Sequence, residues 1–149
     1  MSTEENKALI LRGIEALNRG NMAEMYAAVD ESFVPDFVFH DPNIPLPAGG
    51  VRSREDYKQF LTGFHAALPG QFTIEDLIAE GDKVVVRYTF RGTHKGQWRG
   101  LPPTGKAVTF TGTITYHLVD GKVVEGWQNA DNLSVLRQLG LIPTPGQAS

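Results

Sequence analysis

The chain has 149 residues, a formal net charge of −3 and no cysteine. That length favours one domain with a real core, and the mild acidity argues against nucleic acid or an anionic membrane as partner. The missing thiol removes disulfides, thiolate chemistry and cysteine-ligated zinc. Apolar residues make up 41% of the chain, an ordinary globular share, and no run approaches the roughly 18 apolar residues of a membrane span. Met1-Ser-Thr-Glu-Glu is unlike a secretory leader, so a cytoplasmic setting is expected.

Residues 3–19 read as a helix: Ser2 and Glu5 form a capping box, and Ile10, Ile14 and Leu17 recur at helical spacing. Gly20-Asn21 stops it. Met22, Met25, Tyr26 and Val29 begin a second, shorter helical face, and Phe33 to Asp41 is a β-rich run ended by Pro42. A Pro/Gly loop over residues 42–52 leads to Ser53, which caps a helix whose apolar stripe is Tyr57, Phe60, Leu61, Phe64 and Leu68. Pro69-Gly70 closes that helix. From there the pattern is strand and turn: residues 72–79, 83–91, 106–118 and 122–131, with a long loop over 92–105. Asn132 to Leu139 is a short closing helix, Gly140 its C-cap, and the tail from Pro143 is expected to fray. Helices followed by an antiparallel meander predict one α+β domain over 1–149, ordered over about 3–142. The expected shape is one curved, mostly antiparallel sheet with three helices on its concave side.

The hairpin around Asp120-Gly121 decides which side chains meet. A two-residue turn pairs Val119 with Lys122; a three-residue loop with a left-handed Gly121 pairs Leu118 with Lys122. The three-residue loop is adopted, because it gathers Thr115, His117, Trp127 and Asp131 on one face. The even-numbered face, with Phe110, Ile114, Tyr116, Leu118 and Val124, is then too apolar for water and predicts a homodimer interface. Asp131 also precedes a helix, where aspartate is a favoured N-cap, and Trp127 and His117 are ordinary strand residues when taken alone. Gly100-Leu-Pro-Pro-Thr-Gly-Lys106 has P-loop spacing, but Ala107 follows the lysine, a strand follows the loop, and two prolines remove donors a phosphate needs. No two of His40, His65, His94 and His117 have metal-ligand spacing, so neither metal nor other cofactor is expected.

Gly96-Gln-Trp-Arg-Gly-Leu-Pro-Pro-Thr-Gly-Lys106, Asp120-Gly-Lys-Val-Val-Glu125, Trp127, Asp131 and Leu133-Ser-Val-Leu-Arg-Gln-Leu-Gly140 resemble the SnoaL-like polyketide cyclase family. Phe37-Val-Phe-His-Asp-Pro42 fits the same pattern, which spans residues 5–142. The resemblance implies a cone-shaped α+β barrel of the nuclear-transport-factor-2-like superfamily, usually dimeric, with a pocket between sheet and helices. It implies cofactor-free intramolecular aldol closure of a polyketide ester, with an aspartate base at Asp131 and a substrate-binding histidine at His117. Thr115 stands where the cyclases carry an amide. Either His40 or Asn43 fills the place of an early polar pocket residue.

On that basis Asp131, its pKa raised by apolar neighbours such as Trp127, takes a proton from carbon between two carbonyls, and His117 holds the enolate. Tyr57, Phe60 and Phe64 supply the apolar wall for a small aromatic substrate. A second enzyme reading follows the ketosteroid-isomerase relatives of the fold, with Asp41 as base and Tyr26, Tyr57 or Tyr88 as oxyanion donor. A third is a non-catalytic domain holding a small apolar ligand. An epoxide-hydrolase relay would need Arg87 or Arg99 between two aspartates.

Overall fold

The computed structural model describes residues 1–43, 50–143 and 146. Most of the expected Pro/Gly loop at 42–52, and most of the tail expected to fray, lie outside these residues. Helix α1 (Thr3–Arg19) begins at Ser2, whose hydroxyl accepts from Glu5 N at 3.1 Å while the Glu5 carboxylate accepts from Ser2 N. Gly20 ends it in the left-handed region, φ 70°. Asn21 caps α2 (Met22–Ser32), which passes without a loop into strand β1 (Phe33–His40). Ser53 caps α3 (Arg54–Ala67). Strands β2 (Gly70–Glu80), β3 (Lys83–Thr93), β4 (Ala107–Val119) and β5 (Lys122–Ala130) follow, then α4 (Asn132–Gln138).

The strands form one curved sheet in the order β1-β5-β4-β3-β2. Every neighbouring pair is antiparallel except β1 with β5, which is parallel. Helix α1 packs on β2 and β3, α3 on β1, and α4 on β4. The inward side chains of β4 are the even-numbered ones: Val108, Phe110, Ile114, Tyr116 and Leu118 are all buried. Two aromatic clusters fill the interior. Phe33, Phe37, Phe39 and Tyr57 meet with ring centroids 4.7–6.1 Å apart; Phe64, Phe72, Phe90 and Phe110 meet at 4.9–6.3 Å. Such edge and offset contacts each contribute about 0.5–1.5 kcal/mol beyond area burial.

Two expectations are corrected here. The β4–β5 turn has two residues, Asp120 (φ 49°) and Gly121 (φ 74°), and pairs Val119 with Lys122. Positive φ at both positions is the type I′ geometry whose twist matches a hairpin. An extra residue, Val124, then bulges out of β5, so that Leu118 pairs with Val123 but His117 pairs with Glu125. Beyond the bulge the odd-numbered residues of both strands do share a face, with Thr115 opposite Trp127. That face is the outer one. The apolar even-numbered face of β4, expected at a dimer interface, is covered by this chain's own helices.

Candidate active site

Between the concave face and helices α1 and α3 lies a cavity of about 360 Å³, within the range of small-molecule sites. Helix α3 contributes Tyr57, Phe60 and Phe64 to its wall. From the sheet come Phe39, Tyr88, Phe110, Ile114 and Tyr116, all inward-facing. Polar groups come from several places: Asp41 and Asn43 after β1, Gln59 on α3, Gln97 and Arg99 in the loop after β3, Gln128 on β5 and Asn132 at the start of α4.

Asp41 is held from two sides. Asn43 N donates to Oδ1 at 2.8 Å, a local Asx-type turn, and Gln128 Nε2 donates to Oδ2 at 2.7 Å. The amide oxygen of Gln128 accepts from the Tyr88 hydroxyl at 2.7 Å. A buried phenol, a partly buried amide and a carboxylate thus form one directed chain ending in the cavity. Asn43 is fixed in turn by donating Nδ2–H to the carbonyl of Ala130 at 3.0 Å. Burial raises the pKa of the Tyr88 phenol, helped by Tyr116 and by the negative charge of Asp41. Burial pushes Tyr116 up to about 12 and lifts Tyr57 well above the ordinary phenol value. Tyr57 and Tyr116 lie close enough in the wall for each to affect the other's ionisation, but burial is the larger cause for both. Three neutral phenols therefore face one cavity at any working pH.

The other sequence candidates lie elsewhere. Asp131 is exposed, and its Oδ1 accepts from Ser134 N at 3.1 Å, capping α4. Its neighbours Ala130 and Asn132 line the cavity; its own side chain does not. His117 bonds Asp82 through Nε2 at 2.7 Å on the outer face and holds the Asp82 carboxyl below the usual carboxylate range. His40 bonds Glu125 at 2.6 Å and stacks on Trp127 with centroids 5.5 Å apart, again outside. Thr115 shares that face. His117, Thr115, Trp127 and His40 therefore do not line the cavity, because strand alternation after the bulge turns them away from it. Tyr26 bonds Thr62 and is not among the cavity-lining residues. Arg87 pairs with Asp76 at 2.6 Å, also outside, and Arg99 has a single aspartate, Asp41, with it among the described lining residues, so these residues form no Asp-Arg-Asp relay there. Among the described residues no three of His, Asp and Glu gather as a metal-ligand set. Gln128, opposite Ile114, lies on the even-numbered face that the sequence suggests for an interface and the structure turns inward. Tyr116 and Phe110, on that same apolar face, are core residues that also line the cavity.

The SnoaL-like polyketide cyclase model matches residues 8–139. The chain belongs to that family. The aklanonic acid methyl ester cyclase DnrD of Streptomyces peucetius is 27% identical over 149 residues, covering 97% of each chain. Among solved structures, IdmH from Streptomyces antibioticus, provisionally assigned as a polyketide cyclase, is 32% identical with a TM-score of 0.75, covering 91% of this chain and 98% of that one. AclR from Streptomyces galilaeus, provisionally assigned as a hydroxylase, is 29% identical with a TM-score of 0.80, covering 98% and 87%. Family and fold are thus established for a SnoaL-like protein with these residues in its cavity. Among the described residues no helix is long and apolar enough to cross a membrane.

Proposed function

We propose that this SnoaL-like protein is a cytoplasmic, single-domain, cofactor-free enzyme that closes a ring in a polyketide-like β-dicarbonyl compound by intramolecular aldol addition. The observation that carries the reading is the Tyr88–Gln128–Asp41 chain, which ends on a carboxylate lining an aromatic cavity. The base is therefore Asp41, and neither Asp131 nor His117. Each Asp41 oxygen accepts one fixed hydrogen bond and keeps a lone pair, so the carboxylate is oriented and can still accept a proton from a substrate. It takes a proton from the carbon between two carbonyls, where carbon acidity is within reach of a carboxylate. Tyr116, a neutral buried phenol lining the cavity, offers its O–H to the developing enolate oxygen. The enolate carbon then attacks a second carbonyl, and the alkoxide formed recovers the proton from Asp41. Atoms balance: product and substrate are isomers.

The test is turnover of aklanonic acid methyl ester and of the free acid, read as a new species of unchanged mass. Asp41→Asn should lower the rate roughly 10²–10⁴-fold, the usual contribution of a positioned base. Full activity in that variant would reject Asp41 as base. A second reading, a non-catalytic domain for a small apolar ligand, is favoured by one feature: both Asp41 oxygens already have partners. It predicts tight binding with no conversion.

A homodimer is part of the proposal, now through the outer face, where Ile78 is 59% exposed and the partly exposed Trp127 lies among threonines. Sedimentation should give twice 16.4 kDa, and Ile78→Glu should give the monomer. A wild-type monomer would refute it.

A further inference from the structure

The loop after β3 returns to the cavity through a tight turn. Trp98 and Leu101 exchange backbone hydrogen bonds of 3.1 and 2.9 Å, and the two residues between them, Arg99 and Gly100, have φ of 50° and 79°. This is the type I′ form, whose first central position favours Asn, Asp or Gly. Among the described residues only one other non-glycine, Asp120, has positive φ, and it occupies an Asp-Gly turn that suits it. Arginine has no such local reason to be left-handed. A residue held in a sparsely populated conformation beside a cavity points to a function for its side chain.

The turn sets the Arg99 guanidinium 4.9 Å from the Trp98 ring centroid and lets it donate to the carbonyl of Asn43, two residues from Asp41. Arg19, Arg54 and Arg87 each meet a carboxylate, whereas Arg99 meets none among the described residues. Of the described residues lining the cavity it is the one cation, as Asp41 is the one anion. A guanidinium has five N–H donors in a planar fork that matches a carboxylate, and among the described residues only the Asn43 carbonyl takes one of them.

We propose that Arg99 anchors a carboxylate on the substrate, so that this chain takes a free acid in preference to its methyl ester. This rests on the reading of the cavity as the substrate site, and it separates this chain from the Streptomyces peucetius relative, whose name specifies a methyl ester. A charge-assisted, bidentate pair is roughly twice as strong as a neutral hydrogen bond, whereas esterification removes the charge and one acceptor geometry. Arg99 also offsets the repulsion between an anionic substrate and Asp41.

The experiment titrates anthraquinone-2-carboxylate and its methyl ester into the whole chain by calorimetry at low salt. Wild type should bind the acid at least about tenfold more tightly, as loss of one charged hydrogen-bonded pair implies. Arg99→Asn places a residue suited to the left-handed position, so the turn is kept; the acid preference should vanish while ester affinity stays within about threefold. Arg99→Lys should retain part of the preference. Equal affinities in wild type, or a preference surviving in Arg99→Asn, would overturn the proposal. If neither probe binds, the proposal and the cavity reading fall together. The preference is read in binding alone, so a protein without turnover that still favours the acid would reject only the catalytic role of Asp41.

Discussion

The two faces of the sheet carry polar clusters of similar composition and opposite surroundings. Outside, His117 with Asp82 and His40 with Glu125 are carboxylate–imidazole pairs exposed to solvent. Inside, Asp41, Gln128 and Tyr88 form a single chain walled by aromatic rings. The outer pairs resemble catalytic dyads more closely as lists of residues. Their environment decides against them: in water an ion pair is worth little and shapes no substrate, whereas an aromatic cavity strengthens each directed donor.

The largest effect that sharpens this contrast is on stability at high pH. Tyr116 ionises near 12 when folded against about 10 unfolded, so only the unfolded state gains a charge between those values. Its contribution is full below pH 10 and is lost as pH rises towards 12, a loss of roughly 2–3 kcal/mol. Tyr57 and Tyr88 shift in the same direction. Denaturant melts from pH 9 to 12 should therefore show a steep decline, shallower in Tyr116→Phe. A flat profile would mean that the phenols are solvated and the cavity is not as described.

Next in size is Gly112→Ala. A Cβ at Gly112 would lie 2.4 Å from the Tyr88 hydroxyl, so Tyr88 must leave Gln128. Overpacking of this kind costs about 1–3 kcal/mol, and turnover should fall with it. Unchanged turnover would detach the Tyr88–Gln128 link from catalysis. Smaller again, Asp131→Ala removes the acceptor for Ser134 N. It should cost about 1 kcal/mol by denaturation, as N-caps do, with turnover preserved. Smallest is His117→Asn, which releases the lowered Asp82 carboxyl. The Asp82 contribution is present above the ordinary carboxylate range and fades as pH falls through the lowered value. The variant should therefore be less stable than wild type above the ordinary carboxylate range, converge with it as pH falls into acid, and not differ at all in turnover.

Most of the fold was legible in the sequence because its signals are local. The Ser2/Glu5 box, the Ser53 cap and the Tyr57–Phe60–Phe64 stripe need only neighbours three or four residues away. The strand alternation of residues 107–119 was legible too. What alternation cannot say is which side is inside, and the reactive-looking His117 lies on the opposite face from Tyr116. Composition held the answer: Phe110, Ile114, Tyr116 and Leu118 alternate with Thr109, Thr111, Thr113 and Thr115, and the apolar set marks the core. The Val124 bulge, which turns Gln128 inward, carries no residue signature. Nor does the sequence reveal that Arg99, 56 positions from Asn43, comes back to the same cavity mouth.

The account stands most directly on where the proton goes. Deuterium uptake at the acidic carbon of an aromatic β-keto ester, followed by NMR in the presence of the protein, reports enolisation without needing the natural substrate. Asp131→Asn keeps the helix cap and should exchange at the wild-type rate. Asp41→Asn keeps the carboxylate's shape and should fall roughly 10²–10⁴-fold, to near the solvent rate. Exchange lost in Asp131→Asn and retained in Asp41→Asn would contradict the account and return the chemistry to the residue that caps α4.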